Sequence, residues 1–157
     1  MSESFTHIDA QGKPQMVDVG NKAITKRTAV AQSIVVLPTE IIEKIENDDI
    51  QTKKGAVFQT AVLAGIMAAK QTANLIPLCH PLGLDNCSVD IVLNDQKEVV
   101  ITCTCSIESK TGVEMEALTG ASIAALTVYD MCKAFSHKMV IKETKLVKKT
   151  GGKRDVG

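Results

Sequence analysis

Cys87-Ser88-Val89-Asp90-Ile91-Val92-Leu93-Asn94-Asp95-Gln96-Lys97-Glu98-Val99-Val100-Ile101-Thr102-Cys103-Thr104-Cys105-Ser106-Ile107 reads as two strands and the turn between them. In the first half Cys87, Val89, Ile91 and Leu93 share one face, and Ser88, Asp90 and Asn94 lie on the other. In the second half Val99, Ile101, Cys103, Cys105 and Ile107 alternate with Thr102, Thr104 and Ser106. A period of two is that of a strand with one buried face, because successive side chains point to opposite sides. Asn94-Asp95 is a turn signal, so the stretch predicts an antiparallel hairpin.

The elements on either side complete a pattern. From Arg27 to Leu37 the positions Ala29, Ala31, Ser33, Val35 and Leu37 alternate with more polar partners and predict a strand. Pro38-Thr39-Glu40 opens a short helix that Asn47-Asp48-Asp49 ends. A second helix is expected from about Val57 to Ala73. Its apolar residues are mostly small (Ala56, Ala61, Ala64, Gly65, Ala68, Ala69) and run nearly all round, so it should be sandwiched closely. After the hairpin, Ala117, Ala121, Ala124, Val128, Met131 and Phe135 form the stripe of a helix from about Glu114 to Ser136. A last strand spans about Met139 to Lys148. The order β, helix pair, β-β, α, β predicts an α+β fold: a ferredoxin-like split βαβ with an antiparallel sheet and one extra short helix. Residues 1–25 are polar, with Gly12, Pro14 and Gly20, and read as an extended N-terminal arm; residues 26–157 read as a single ferredoxin-like catalytic domain. Helices on one sheet face leave the other, with its Thr, Ser and apolar mixture, open to a partner, and a homo-oligomer is expected.

Composition narrows the function. A chain of 157 residues buries about 70% of its unfolded surface and is most simply one domain. Zero formal net charge argues against a nonspecific grip on nucleic acid or a membrane surface. Lys142, Lys145, Lys148, Lys149, Lys153 and Arg154 nevertheless crowd the last segment, as a solvated strand face and tail or as a clamp for a small polyanion. Five cysteines without a C-x-x-C pair read as core thiols of a reduced protein, and Met1-Ser2-Glu3-Ser4 does not open a secretory leader, so a cytoplasmic location is expected. No apolar run reaches membrane-spanning length.

Four constellations carry chemistry. In Ile76-Pro77-Leu78-Cys79-His80-Pro81-Leu82 two prolines stiffen the backbone around an adjacent cysteine and histidine. The loop holds an imidazole at a set angle for acid–base work or ligand binding, or is a structural turn. Adjacent residues make poor tetrahedral zinc partners, and no second Cys/His cluster has suitable spacing. Glu114-Met115-Glu116 sets two carboxylates at a helix start, where they complement the helix dipole or accept from N–H donors of a ligand. Asp130 and Lys133 are helix neighbours, either a surface ion pair or, in a segment this apolar, a partly buried pair that readies a lysine for proton transfer. Lys54-Gly55 and Lys149-Thr150-Gly151-Gly152-Lys153 are lysine–glycine elements suited to phosphate, but neither matches the P-loop pattern.

Glu116 and Asp130 project within about 40° of one another on a helix, yet lie about 21 Å apart along its axis. If both act in one site, that site must straddle two subunits.

Three long motifs together resemble the molybdenum cofactor biosynthesis protein C family, the cyclic pyranopterin monophosphate synthases. They are Leu75-Ile76-Pro77-Leu78-Cys79-His80-Pro81-Leu82, Lys110-Thr111-Gly112-Val113-Glu114-Met115-Glu116-Ala117-Leu118-Thr119 and Tyr129-Asp130-Met131-Cys132-Lys133-Ala134. Thr6-His7-Ile8-Asp9, Met16-Val17-Asp18-Val19, Lys54-Gly55 and the tail glycines extend the likeness over nearly the whole chain. The resemblance implies a ferredoxin-like subunit assembled as a homohexamer, a trimer of dimers with pockets between subunits. It implies conversion of a small-molecule substrate, 3′,8-cyclo-7,8-dihydro-GTP, to cyclic pyranopterin monophosphate with release of pyrophosphate, without a cofactor or a metal. Residue by residue, it implies that Lys54, Asp130 and Lys133 are catalytic. It places pterin- and sugar-side contacts on Leu78, Cys79, His80, Glu114, Met115 and Glu116, and triphosphate contacts on Arg27, Lys149 and Lys153. The tail departs from the family's Lys-Ser-Gly-Gly-Lys-Ser-Gly: Thr150 replaces the first serine, and Arg154-Asp155 follows Lys153.

The rival reading is a nonenzymatic ferredoxin-like binding module. An RNA-binding version lacks aromatic supply, since Phe5, Phe58, Tyr129 and Phe135 all fall outside the predicted strands.

Overall fold

A computed structural model describes residues 6–157; the first five residues of the expected arm, Phe5 among them, lie outside it. The strand expected from Arg27 begins earlier, as β1 (Thr25–Val36). A single helical turn, α1 (Thr39–Ile42), follows. Three short strands come next: β2 (Ile45–Glu46), β3 (Asp49–Thr52) and β4 (Gly55–Ala56). Then come α2 (Val57–Lys70), α3 (Thr72–Leu75), β5 (Asn86–Leu93), β6 (Val99–Ser109), α4 (Glu114–Cys132) and β7 (Val140–Thr150).

The main sheet has four strands in the order β5-β6-β1-β7, each antiparallel to its neighbour. This is the ferredoxin-like arrangement: each helical crossover skips one strand position, so β1 and β6 pair at the centre. The hairpin register sets Cys87 opposite Cys105 and Leu93 opposite Val99. Burial alternates as the period of two requires. Val99, Ile101, Cys103, Cys105 and Ile107 of β6, and Ala29, Ala31 and Val35 of β1, are all buried. Among them Ser33 is buried too, its hydroxyl 2.6 Å from that of Thr144 on β7.

Helices α2 and α4 cover this face and cross at two glycines. A Cβ on Gly65 would stand 2.9 Å from the Gly120 carbonyl oxygen, and one on Gly120 would stand 2.5 Å from Cys103 Sγ. The small-residue pattern therefore does what close helix packing needs. The sandwiching expected for α2 is one-sided within a single chain, because Leu63 and Met67 are more than half exposed.

Local chemistry explains the other differences. The helix expected to reach Ala73 breaks at Gln71, where the buried Thr72 hydroxyl donates to the Ala69 carbonyl at 2.9 Å and competes with the helical ladder. The helix expected to reach Ser136 stops at Cys132, and Phe135 turns outward beneath Lys44, whose Nζ lies 4.8 Å from the ring centroid. The segment from Ile45 to Ala56, expected to be a helix end and a lead-in, is a three-stranded miniature sheet in the order β2-β3-β4. Asn47 and Asp48 turn it with positive φ of 51° and 61°, conformations that Asn and Asp tolerate better than most residues.

Candidate active site

The miniature sheet presents Lys54. The β3-β4 turn is tight: the Thr52 hydroxyl donates to Gly55 O at 3.0 Å and accepts from Lys54 N–H at 3.1 Å. Gly55 has φ +109°, a conformation that only glycine adopts readily. Asp49, almost fully buried, ties this unit to α2. Its Oδ1 accepts from the N–H groups of Ile50 and Phe58, both at 2.7 Å, and its Oδ2 from Gln59 N–H at 3.1 Å. Ala56, at the N-cap position, has no side-chain acceptor, so Asp49 satisfies the orphan donors of the first turn from a distance.

Lys54 Nζ then reaches Asp130 Oδ2 at 3.2 Å, and Lys133 Nζ reaches Asp130 Oδ1 at 2.7 Å. The carboxylate is held between two ammonium groups. Hydrogen bonds from Lys133 and then Lys54 draw its pKa below the ordinary aspartate value, and the same contact raises that of Lys133. The partly buried pair expected from the apolar segment is corrected: Asp130 and Lys133 are about half exposed in the single chain, at 52% and 50%. Val128, Met131 and Cys132 of that segment face the core, and the two charged residues lie on the remaining side of the helix end.

A second group gathers at the other end of α4. Leu78, Cys79, His80, Glu114, Met115 and Glu116 line a cavity of about 910 Å³. His80 Nε2 lies 2.7 Å from the Val17 carbonyl oxygen; a carbonyl only accepts, so Nε2 carries the proton and donates. Glu116 is almost fully buried, and burial, with Glu114 nearby, raises its carboxyl above the usual range. Burial and then the Glu116 charge push the Cys79 thiol up. Glu114 Oε1 pairs with Lys149 Nζ at 3.1 Å, which joins the cavity to the basic tail.

That tail folds back. Lys149 and Val156 exchange both backbone hydrogen bonds, 2.9 and 3.0 Å, so residues 150–155 form a loop. Asp155 accepts from Gly151 N–H at 3.2 Å, and Lys153 and Arg154 stand exposed in it. Gly151 has φ +88°, and a Cβ there would collide with the Lys26 carbonyl oxygen at 1.9 Å. A Cβ on Gly152 would lie 3.0 Å from Arg27 Nη1. The glycines thus let backbone approach Arg27, whose Nη2 donates to Lys110 O at 3.3 Å and whose buried Nε has no partner among the described residues. An unmatched guanidinium N–H beside a glycine-rich backbone and lysines suits an oxyanion.

The two groups do not meet within one chain. Glu116 and Asp130 both lie on α4, about 21 Å apart at about 1.5 Å per residue. Sequence reasoning missed the part of the arm: His7, Val17 and Lys22 form a wall of the cavity, and Lys110 Nζ donates to Gly20 O at 2.7 Å. The only signal for them was the short motifs around His7 and Val17. It also missed that Cys87, Cys103 and Cys105 converge.

The model of the MoaC family matches residues 16–152. The chain belongs to the MoaC family. Among its relatives, a cyclic pyranopterin monophosphate synthase of Xanthomonas oryzae pv. oryzae is 52% identical over 156 residues, covering 99% of this chain and 94% of the relative. One of Clostridium perfringens is 52% identical over 154 residues, covering 98% and 96%. The Dictyostelium discoideum protein named molybdenum cofactor biosynthesis protein 1 is 48% identical over 169 residues; the match covers 97% of this chain but 27% of that longer protein. All three motifs that carry the resemblance fall inside the MoaC match. Among the described residues no helix is long and apolar enough to cross a membrane.

Proposed function

We propose that this MoaC-family chain catalyses the reaction after which its relatives are named: a lyase step of molybdenum cofactor biosynthesis that turns 3′,8-cyclo-7,8-dihydro-GTP into cyclic pyranopterin monophosphate and expels pyrophosphate. The observation that carries this reading is the division of the chemistry between the two ends of α4. One end offers a carboxylate clamped by two lysines, and the other offers a large cavity beside a basic, glycine-lined corner. A small molecule needs both ends, so each site is shared by two subunits, with the helix end of one supplying Lys54, Asp130 and Lys133. The exposure of those three side chains and of Leu63 and Met67 in the single chain supports an assembly, a homohexamer built as a trimer of dimers. The expected division into an arm, 1–25, and a catalytic unit, 26–157, belongs to the same proposal, with the arm closing one wall of the cavity. The setting is cytoplasmic.

Arg27, Lys149 and Lys153 hold the triphosphate by charge-assisted hydrogen bonds. Leu78, Cys79, His80, Glu114, Met115 and Glu116 position the pterin and sugar side. Lys54 and the Asp130–Lys133 pair move protons as the purine-derived ring is opened and rebuilt. An oxygen of the substrate attacks its own α-phosphorus; the new P–O bond closes the cyclic phosphate, and the α–β bridging bond breaks to release pyrophosphate. The protein contributes positioning and electrostatic stabilisation.

The experiment is a pyrophosphate-release assay on Lys54→Ala, Lys133→Ala and His80→Ala. Each variant is expected to fold and to lose turnover. Mixed assemblies of Lys133→Ala with His80→Ala regain activity, because about one shared site in four then has both halves intact. Near-normal release by both lysine variants rules out their roles. Binding of the substrate without any product by the wild-type protein favours a nonenzymatic module. Mixtures as inactive as their components refute the shared site.

A further inference from the structure

Cys87, Cys103 and Cys105 take no part in the proposed reaction, yet they meet. They lie on the helix-covered face of the β5-β6 hairpin, where Cys87 is directly opposite Cys105 in the register. Cys105 Sγ is 3.7 Å from Cys87 Sγ and 3.9 Å from Cys103 Sγ, and all three sulfurs fall within 4.8 Å of one another. None is in a disulfide. A metal–thiolate bond of about 2.3 Å places the sulfurs of a trigonal planar site about 4.0 Å apart. The trio already has nearly that spacing.

We infer that Cys87, Cys103 and Cys105 form a trigonal thiolate site for a soft, closed-shell monovalent cation, cuprous copper. The donor count selects the ion. Structural zinc takes four ligands, and among the described residues no fourth Cys, His, Asp or Glu joins the trio. Cys103 and Cys105 are fully buried, so water does not readily complete a tetrahedron, and three soft donors in a dry pocket suit Cu(I). Gly120 lets Cys103 Sγ pack where any Cβ would crowd the sulfur. Access is provided as well. Cys87, only half-buried on edge strand β5, is the point of entry. Each thiol that ligates releases its proton to solvent, and the copper stays in its cuprous state.

The test is an anaerobic titration of the reduced, full-length protein with Cu(I) in competition with a chromogenic cuprous chelator. One copper per chain is expected to leave the chelator, with a sulfur-to-copper charge-transfer band in the ultraviolet and X-ray absorption showing sulfur neighbours alone at about 2.3 Å. Cys87→Ser and Cys105→Ser should each weaken binding by more than the ~10–100-fold that loss of an outer-shell partner costs. Cys79→Ser should leave the copper affinity unchanged, and Cys87→Ser should leave pyrophosphate release unchanged. Should the core variant Cys105→Ser fail to fold by circular dichroism, the half-exposed Cys87→Ser decides alone. Failure of the wild-type protein to take copper from the chelator overturns the inference. So does copper retained equally by Cys87→Ser or lost in Cys79→Ser.

Discussion

Replacing Asp49 by Ala removes a carboxylate that accepts three backbone N–H groups, those of Ile50, Phe58 and Gln59. Two of them belong to the first turn of α2, where Ala56 offers no substitute. Loss of an N-terminal cap costs about 0.5–2 kcal/mol. Asp49 is also buried, so water does not readily replace it, and stranding a buried donor costs about 1–3 kcal/mol. The two contributions overlap, and about 3 kcal/mol is the expected total. For a chain of this size that lowers the melting temperature by about 6–12 °C. Asn ranks with Asp as a cap and keeps one oxygen, so Asp49→Asn should recover all but about 1 kcal/mol. Equilibrium urea unfolding followed by far-ultraviolet circular dichroism, at one fixed protomer concentration, gives both numbers. Turnover should fall with stability in Asp49→Ala, because the same carboxylate anchors the β3-β4 turn that presents Lys54. An Asp49→Ala midpoint equal to that of the wild type, or an Asn variant as unstable as the Ala one, would refute the reasoning.

Two further outcomes follow from the packing and the charges. Gly120→Ala drives a methyl group to 2.5 Å from Cys103 Sγ and should destabilise by about 1–3 kcal/mol. Cys103→Ala in the same chain should restore part of that loss, and additive effects in a double-mutant cycle of urea midpoints would show that the two do not touch. Glu116 has its folded-state pKa raised by burial, so the native protein holds a proton that the unfolded chain has released. Between the unfolded carboxyl value of about 4.3 and the raised native one, wild-type stability should therefore fall as pH rises. Glu116→Gln should flatten that segment of the profile, and an unchanged slope in the urea midpoints would place Glu116 in a more solvated setting.

Much of the architecture was legible because the pattern that encodes it is local. A period of two in Val99–Ile107 and in Ala29–Val35 is the burial pattern of the central strands, and the alanine–glycine composition of α2 is what lets Gly65 meet Gly120. The misread parts are those where a distant group overrides local preference. Asn47-Asp48-Asp49 looked like the end of a helix, yet Asp49 is a buried acceptor for α2 and its neighbours turn a miniature sheet. The apolar setting of Asp130 suggested burial, but one helix turn carries both a core face and an exposed pair of charges. Lys149 and Glu114 were each noted, but their 3.1 Å pairing depends on how β7 docks beside the start of α4.

The chain's own order of residues determined the order of the four main strands and two long helices, the ferredoxin-like class and the residue types at the candidate site, since these rest on periodicities of two and 3.6 and on motifs a few residues long. Tertiary structure alone decided which separated side chains became neighbours. Val17 beneath His80 and Gly152 against Arg27 are contacts between segments that no local spacing relates. The physical reason is that side-chain chemistry acts over about 3–4 Å, while its participants are brought together by strand register and helix crossing, which the whole core sets at once.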